Sequence, residues 1–287
     1  MSHKPFPIQV SMVGPGSQAA ESDLAYMPLP REIDSFTMPS LPMAEQVVHL
    51  SAAKAVIASL ITKLKSYQGD AQHYPVFDLT GLDHENRQLI NQLLGEGEVS
   101  ARVKRLDGHV LDIQESVFAG IWRVLETSDD GQLLADRIEA CPIPAEVWQQ
   151  ALVFAQPTLQ LNATNVPGLM NALPVLSEIG AKMQQLGETA HVINFSLLPM
   201  NPDDMRYLDQ ALGQGNSGVF SRGYGKCRVM STMLQNVWRV QYFNGMNSIL
   251  LDTVEITRIP EVALASDDDL VDSLERLEEA YQWLLGE

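Results

Sequence analysis

A chain of 287 residues, 45% of them hydrophobic and 19% charged, can bury one large core or two ordinary ones. Its net charge of −17 argues against nucleic acid, whose phosphates demand Lys and Arg, and disfavours anionic membrane surfaces. No apolar run reaches the roughly 18 residues that span a bilayer. Met1 to Pro5 leads into no apolar stretch of the secretory kind, so a cytoplasmic location is expected. The two cysteines, Cys141 and Cys227, form no CxxC pair, which fits a reducing compartment without a disulfide framework.

Residues 1–42 hold seven prolines, which remove backbone donors and restrict the residues before them, so an extended arm is expected there. Ala44 to Tyr67 then carries an apolar stripe near period 3.6, read as a helix. A short strand follows over Tyr74 to Thr80, and a second helix over Asp83 to Leu94, with Asp83 as N-cap and a glycine at the C-cap. From Glu98 the period changes to two. Glu98 to Lys104, Val110 to Glu115, Val117 to Thr127 and Leu133 to Cys141 read as an antiparallel meander, with Asp107-Gly108 and Asp130-Gly131 at turns. A helix over Ala145 to Phe154 closes the unit, and residues 155–166 read as a linker.

The unit then returns. Pro167 to Leu186, His191 to Leu197 and Pro202 to Leu212 repeat helix, strand and helix, although Pro174 moves the helix start toward Leu173. Gly218 to Ser221, Arg228 to Met233, Asn236 to Phe243 and Ile249 to Thr257 repeat the meander, and Asp267 to Leu285 the closing helix. Trp122-Arg123-Val124 reappears 116 residues later as Trp238-Arg239-Val240, and Asp136 and Glu139 as Asp252 and Glu255. The pair Gly95 and Gly97 reappears as Gly213 and Gly215, 118 residues later, so two residues are gained before it and lost after it. The expected fold is α+β, with two tandem copies of a helix-strand-helix-meander-helix unit in pseudo-twofold relation. The expected division is an arm over 1–42, a first copy over 43–156 and a second over 157–287.

Signals for cofactor chemistry are absent or misplaced. Gly213-x-Gly215-x-x-Gly218 matches the dinucleotide fingerprint by letter, but a helix precedes it and a strand follows, the reverse of what holds a pyrophosphate at a helix N-terminus. Lys226 is followed by Cys227, where a phosphate loop needs Ser or Thr. The six histidines show no ligand spacing, and there is no GxSxG elbow. The expectation is a protein with no cofactor and no metal that is not an enzyme; the rival is an enzyme or cluster-handling factor whose site forms between the copies or between protomers, with Cys227, lying in a loop beside Gly225, as its thiol.

Six residues are candidates for partner contact. Trp122 and Trp238, at matching points, read either as core or as paired aromatic anchors. Glu96 sits in the turn between Gly95 and Gly97, where its counterpart is the neutral Gln214. Asp269, Asp272 and Glu275 belong to the acidic C-terminal stretch. From Glu261 onward nine Asp or Glu face one Arg, reading either as a solvated helix or as a surface for a basic partner. Leu169 and Met170 read as core plugs or as groove residues.

Several stretches together resemble the HupH/HyaF/HoxQ family of hydrogenase expression and formation proteins. They are Gly14-Pro15-Gly16, Leu93 to Ser100, Ile113-Gln114-Glu115, Gly120 to Val124, Gly168 to Asn171, Gly223-Tyr224-Gly225, Val237-Trp238, Ile259 to Val262 and Asp269 to Ser273. They run in order from about residue 10 to the C-terminus. The resemblance implies an accessory chaperone for [NiFe] hydrogenase maturation that acts with other accessory proteins. Its implied partner is the iron–sulfur small subunit precursor, which carries a twin-arginine signal peptide. The family supplies no agreed catalytic residues. A scaffold for other maturation proteins is the remaining reading.

Overall fold

A computed structural model describes residues 42–67, 73–160, 167–223 and 225–286. The arm expected over 1–42 lies outside them except for Pro42, as do residues 161–166 of the expected linker. The first copy folds as α1 (Ser51–Ser66), β1 (Val76–Asp78), α2 (His84–Leu94), β2 (Val99–Lys104), β3 (Val110–Glu115), β4 (Ile121–Thr127), β5 (Leu133–Ala140) and α3 (Glu146–Phe154). The second folds as α4 (Ala172–Met183), β6 (His191–Asn194), α5 (Pro202–Leu212), β7 (Ser217–Ser221), β8 (Cys227–Ser231), β9 (Val237–Phe243), β10 (Ile249–Ile256) and α6 (Asp267–Leu285).

The helix read from Ala44 is divided. A 3₁₀ turn over Ala44–Val47 precedes α1, which begins at Ser51. Asp83 and Asn201 cap α2 and α5, accepting from the N–H groups of Asn86 and Asp204. Pro174 falls in the first turn of α4, where its missing N–H costs no helical bond. Leu169 packs into the core beneath α4, whereas Met170 is exposed.

All ten strands join one antiparallel sheet, in the order β1-β5-β4-β3-β2-β7-β8-β9-β10-β6. Each copy supplies five, and the copies meet at β2 and β7. The two-residue gain lies between β6 and α5, where a 3₁₀ turn over Phe195–Leu197 lengthens the link. The loss lies in the β7–β8 hairpin, which is shorter between Val219 and Val229 than the first is between Ala101 and Ile113.

One face of the sheet carries Ala101, Ile113, Trp122, Val219, Val229 and Trp238, with α3 lying across β2 and β7. On the other face α1, α2 and α6 cover Ile121 and Ile138 of the first copy, and α4 and α5 cover Val237 and Val254 of the second. The copies therefore diverge in their last helix. The first sends α3 over the sheet centre. The second ends in a short 3₁₀ turn, Glu261–Ala263, and its chain passes to the opposite face, where α6 packs on α1 of the other copy.

Candidate functional site

Matching ion clusters fix α2 and α5 to the sheet. Arg123 of β4 donates to both carboxylate oxygens of Asp136 and to Asn91 of α2. Arg239 of β9 does the same to Asp252 and to Asp209 of α5. Two-pronged guanidinium–carboxylate pairing sets orientation as well as energy, so each helix stands over a known strand. From β4 to β9 there are five strand spacings, about 24 Å at about 4.8 Å each, and a helix occupies about 10 Å. Among the described helices, α2 and α5 therefore stand about one helix width apart over the sheet; this interval separates the two helical layers.

Its floor is β3, β2, β7 and β8, and it crosses the junction of the copies. The first copy contributes Ser100, Arg102, Asp112 and Gln114; the second contributes Gly218, Phe220, Arg228 and Met230. Arg102 Nε donates to Asp112 at 2.6 Å, and Asp112 stays 41% exposed. The Gln114 amide donates to the carbonyls of Gly97, Val99 and Glu115, each at 3.0 Å, locking the turn that carries Glu96. Phe220 and Met230 form a small buried cluster apart from both helix-covered cores. A Cβ at Gly218 would meet the Met230 sulfur at 2.7 Å, so the methionine side chain would have to move aside for a larger residue.

The first turn of α6 stands at one end of this floor. Leu270 presses on Gly120 so closely that no Cβ would fit, and Gly120 holds a positive φ of 75°. The Gly120 N–H donates to Glu115 at 3.0 Å. Burial, with lesser pushes from Asp269 and Glu98, raises the Glu115 carboxyl to about 7. Glu98 is exposed, and Gly223 of the β7–β8 hairpin lies against its carboxylate. The sequence reading missed Glu98 and Glu115. Glu115 had a visible sign, since its counterpart in the duplication is Ser231.

Of the residues singled out from sequence, Glu96, Asp269, Asp272 and Glu275 are exposed, and the last three share α6. Asp269 also completes the capping box with Ser266, and Asp272 lies 3.6 Å from Arg276. Trp122 and Trp238 are corrected. They are 1% and 2% exposed on the α3 side of the sheet, each donating its indole N–H to a carbonyl, of Cys141 and Arg258, so neither is an anchor on the folded surface. Cys227 opens β8 rather than lying in a loop. It is buried, and burial pushes its thiol up to about 11 despite a bond with Tyr242, a poor setting for a nucleophile. Among the described residues no three His, Cys, Asp or Glu are placed to hold a metal ion. Of the glycines in the apparent nucleotide fingerprint, Gly213 caps the C-terminus of α5, Gly215 follows it and Gly218 lies within β7, so they open no helix.

Comparison with known proteins finds the same duplication. The family model of the HupH hydrogenase expression protein, C-terminal conserved region, matches twice, over residues 50–164 and 169–284. The chain is 43% identical over 282 residues to the hydrogenase expression/formation protein HoxQ of Cupriavidus necator, covering 97% of this chain and 98% of that one. It is 41% identical to HupH of Rhizobium leguminosarum bv. viciae, covering 83% and 85%. It is 36% identical to the hydrogenase-1 operon protein HyaF of Escherichia coli, covering 95% of each. The solved hydrogenase expression protein HupH from Thiobacillus denitrificans aligns at 27% identity with a TM-score of 0.36, covering 38% of this chain and 92% of that one. The chain belongs to the HupH family of hydrogenase expression proteins. No described helix is long and apolar enough to cross a membrane.

Proposed function

We propose that this protein is a non-enzymatic chaperone of [NiFe] hydrogenase maturation that holds the iron–sulfur small subunit precursor while it is assembled. Its relatives carry names of hydrogenase expression and formation, which supports the maturation role. The observation that carries the finer reading is the placement of α6. Its acidic first turn stands against Gly120 and Glu115, at the end of the floor where the two copies meet. Along the outer side of α6, Asp272 and Glu275 accompany two exposed apolar side chains, Val271 and Trp283. A twin-arginine signal peptide is basic and then apolar, and such a surface meets both demands. Opposite charge raises the encounter rate and sets register more than it adds affinity.

The test is a pull-down of the small subunit, with and without its signal peptide, across a salt series. Binding to the precursor alone, weakening with salt, is expected. Equal binding to both forms would move the contact to the body of the subunit. Binding to neither, with retention of other accessory proteins, would make this protein a scaffold.

A further inference from the structure

The duplication makes each copy a reference for the other, and the connections that follow β3 and β8 share one backbone frame. The Ser116 N–H bonds Ile121 O as the Thr232 N–H bonds Val237 O, and the Cys141 N–H reaches Gly120 O as the Thr257 N–H reaches Asn236 O. The Gly97 N–H bonds Glu115 O at 2.7 Å, and the Gly215 N–H bonds Ser231 O at 2.9 Å. Gly120 and Asn236 both hold a positive φ, 75° and 59°. Within that frame two side chains differ. Ser231 of the second copy is Glu115 in the first, and Asn236 is Gly120.

Both changes lie where α6 docks on the first copy. Leu270 fills the space that a Cβ on residue 120 would take, so the side chain borne by Asn236 could not stand there. The shared frame also shows that the connection needs no carboxylate, since Ser231, 3% exposed, serves in its place. Glu115 is 8% exposed, and its carboxylate accepts the Gly120 N–H at 3.0 Å. Among the described residues it forms no ion pair. The charges beside it are of its own sign: Glu98, next to Gly97, and Asp269, next to Leu270. Asp267 and Asp268 stand exposed in the same first turn, so the positive end of the α6 dipole is already answered. The cations of neighbouring elements are engaged elsewhere. Arg276 of α6 lies over the Phe118 ring at 5.5 Å, and Arg222, after β7, reaches the Gln114 amide oxygen at 3.4 Å. From β4 the register partner of Glu115 is the uncharged Trp122. Burial and like charge both resist a further negative charge here, and the Glu115 carboxyl is pushed up to about 7.

We propose that Glu115 is a proton-operated fastening for α6: protonated, it lets the first turn settle with Leu270 on Gly120, and ionised, it loosens that turn by repulsion of Asp269. Val271 is the next residue, so the outer side of α6 moves with the fastening. The step is a proton exchange with solvent and needs no other reactant. It belongs to the free chain and does not depend on the hydrogenase reading.

The test is NMR of the full chain, with isotope-labelled leucine methyls and backbone amides, between about pH 5.5 and 8.5. The Leu270 methyls and the Gly120 amide are expected to move together, with one midpoint near 7. The Leu270 N–H bonds Ser266 O within the first turn, and its protection from exchange should fall about tenfold above that midpoint. In Glu115→Gln the transition should vanish, leaving Leu270 docked at every pH. Asp269→Asn keeps a side-chain oxygen for the Ser266 N–H and should lower the midpoint by about 0.5 pH unit or more. A shift at Gly120 without movement of Leu270 would overturn the proposal, making Glu115 a buried acid that titrates in place. So would a transition that persists in Glu115→Gln, or none in the wild type. If Glu115→Gln does not fold, Asp269→Asn decides, since an unchanged midpoint overturns the proposal as well.

Discussion

Ala101 of β2 pairs directly with Val219 of β7 across the junction of the two copies, and each is the other's counterpart in the duplication. The neighbouring pairs obey the same rule. Val99 faces Ser221 and Val103 faces Ser217, so the pairing maps onto itself when the copies are exchanged. The pseudo-twofold axis therefore passes between these two residues, and the sheet is built as a symmetric dimer of strands would be, within one chain.

That seam makes the first prediction. Ala101 and Val219 are 1% and 3% exposed, beneath α3. Val219→Ala should cost about 1–3 kcal/mol through lost burial and a cavity. Urea denaturation checks it. A single transition is expected, because α3 spans both copies' central strands and α6 returns from the second copy to the first.

The duplication was legible because its marks are fixed by contacts both copies need. The Arg-Asp pairs hold α2 and α5, and the paired glycines admit close approach. Gly97 and Gly215 lie against the Ser116 and Ser231 backbones with no room for a Cβ, while Gly95 and Gly213 turn out of their helices at φ 56° and 61°. Alternation placed Trp122 and Trp238 on a strand face but could not say that α3 covers it. The destination of α6 was illegible for the same reason. Its stripe of Ser273, Leu277 and Leu284 demands a partner without naming it, and only tertiary packing chooses α1 of the other copy.

Asp204 should prove a keystone of the second copy. It is fully buried at the start of α5 and accepts the N–H groups of Met170, Asn171 and Ala172, tying α4 to α5. Burial alone would raise this carboxyl, but those donors and the Asn201 N–H outweigh it and hold it below its ordinary 3.8. A lowered folded value means stability that is present above the ordinary value and lost as pH falls through the folded one. Asp204→Asn should cost about 2–3 kcal/mol at neutral pH and reduce the acid-induced loss below pH 4, read by thermal melts from pH 2 to 7.

Glu115 should act in the opposite sense. Its folded value of about 7 exceeds its ordinary 4.5, so the folded protein binds the extra proton. Stability is full below about pH 4.5 and declines as pH rises toward 7, as the carboxylate ionises beside Asp269 and Glu98. Glu115→Gln keeps an oxygen for the Gly120 N–H and removes the charge. It should raise stability above pH 7 by up to about 2–3 kcal/mol and flatten this part of the profile. An unchanged pH profile would place the ionisation elsewhere.

The acidic residues of α6 should separate by position. Asp269 receives the N–H of Ser266 while its own N–H bonds the Ser266 hydroxyl, so Asp269→Ala should cost about 1 kcal/mol through the lost cap. Asp272 and Glu275 are exposed and lie beyond the cap, so reversing both to Lys should change stability by only about 0.5 kcal/mol. If the outer side of α6 receives the precursor, that double reversal should weaken capture at low salt, with the difference from wild type shrinking as salt rises. Reversing Asp269 as well would confound the two effects, since a loosened first turn would withdraw Leu270 from Gly120. Melting curves and a salt-dependent pull-down on the same preparations distinguish a lost cap from a lost contact. Undiminished capture by the stable double reversal would remove α6 from the binding surface.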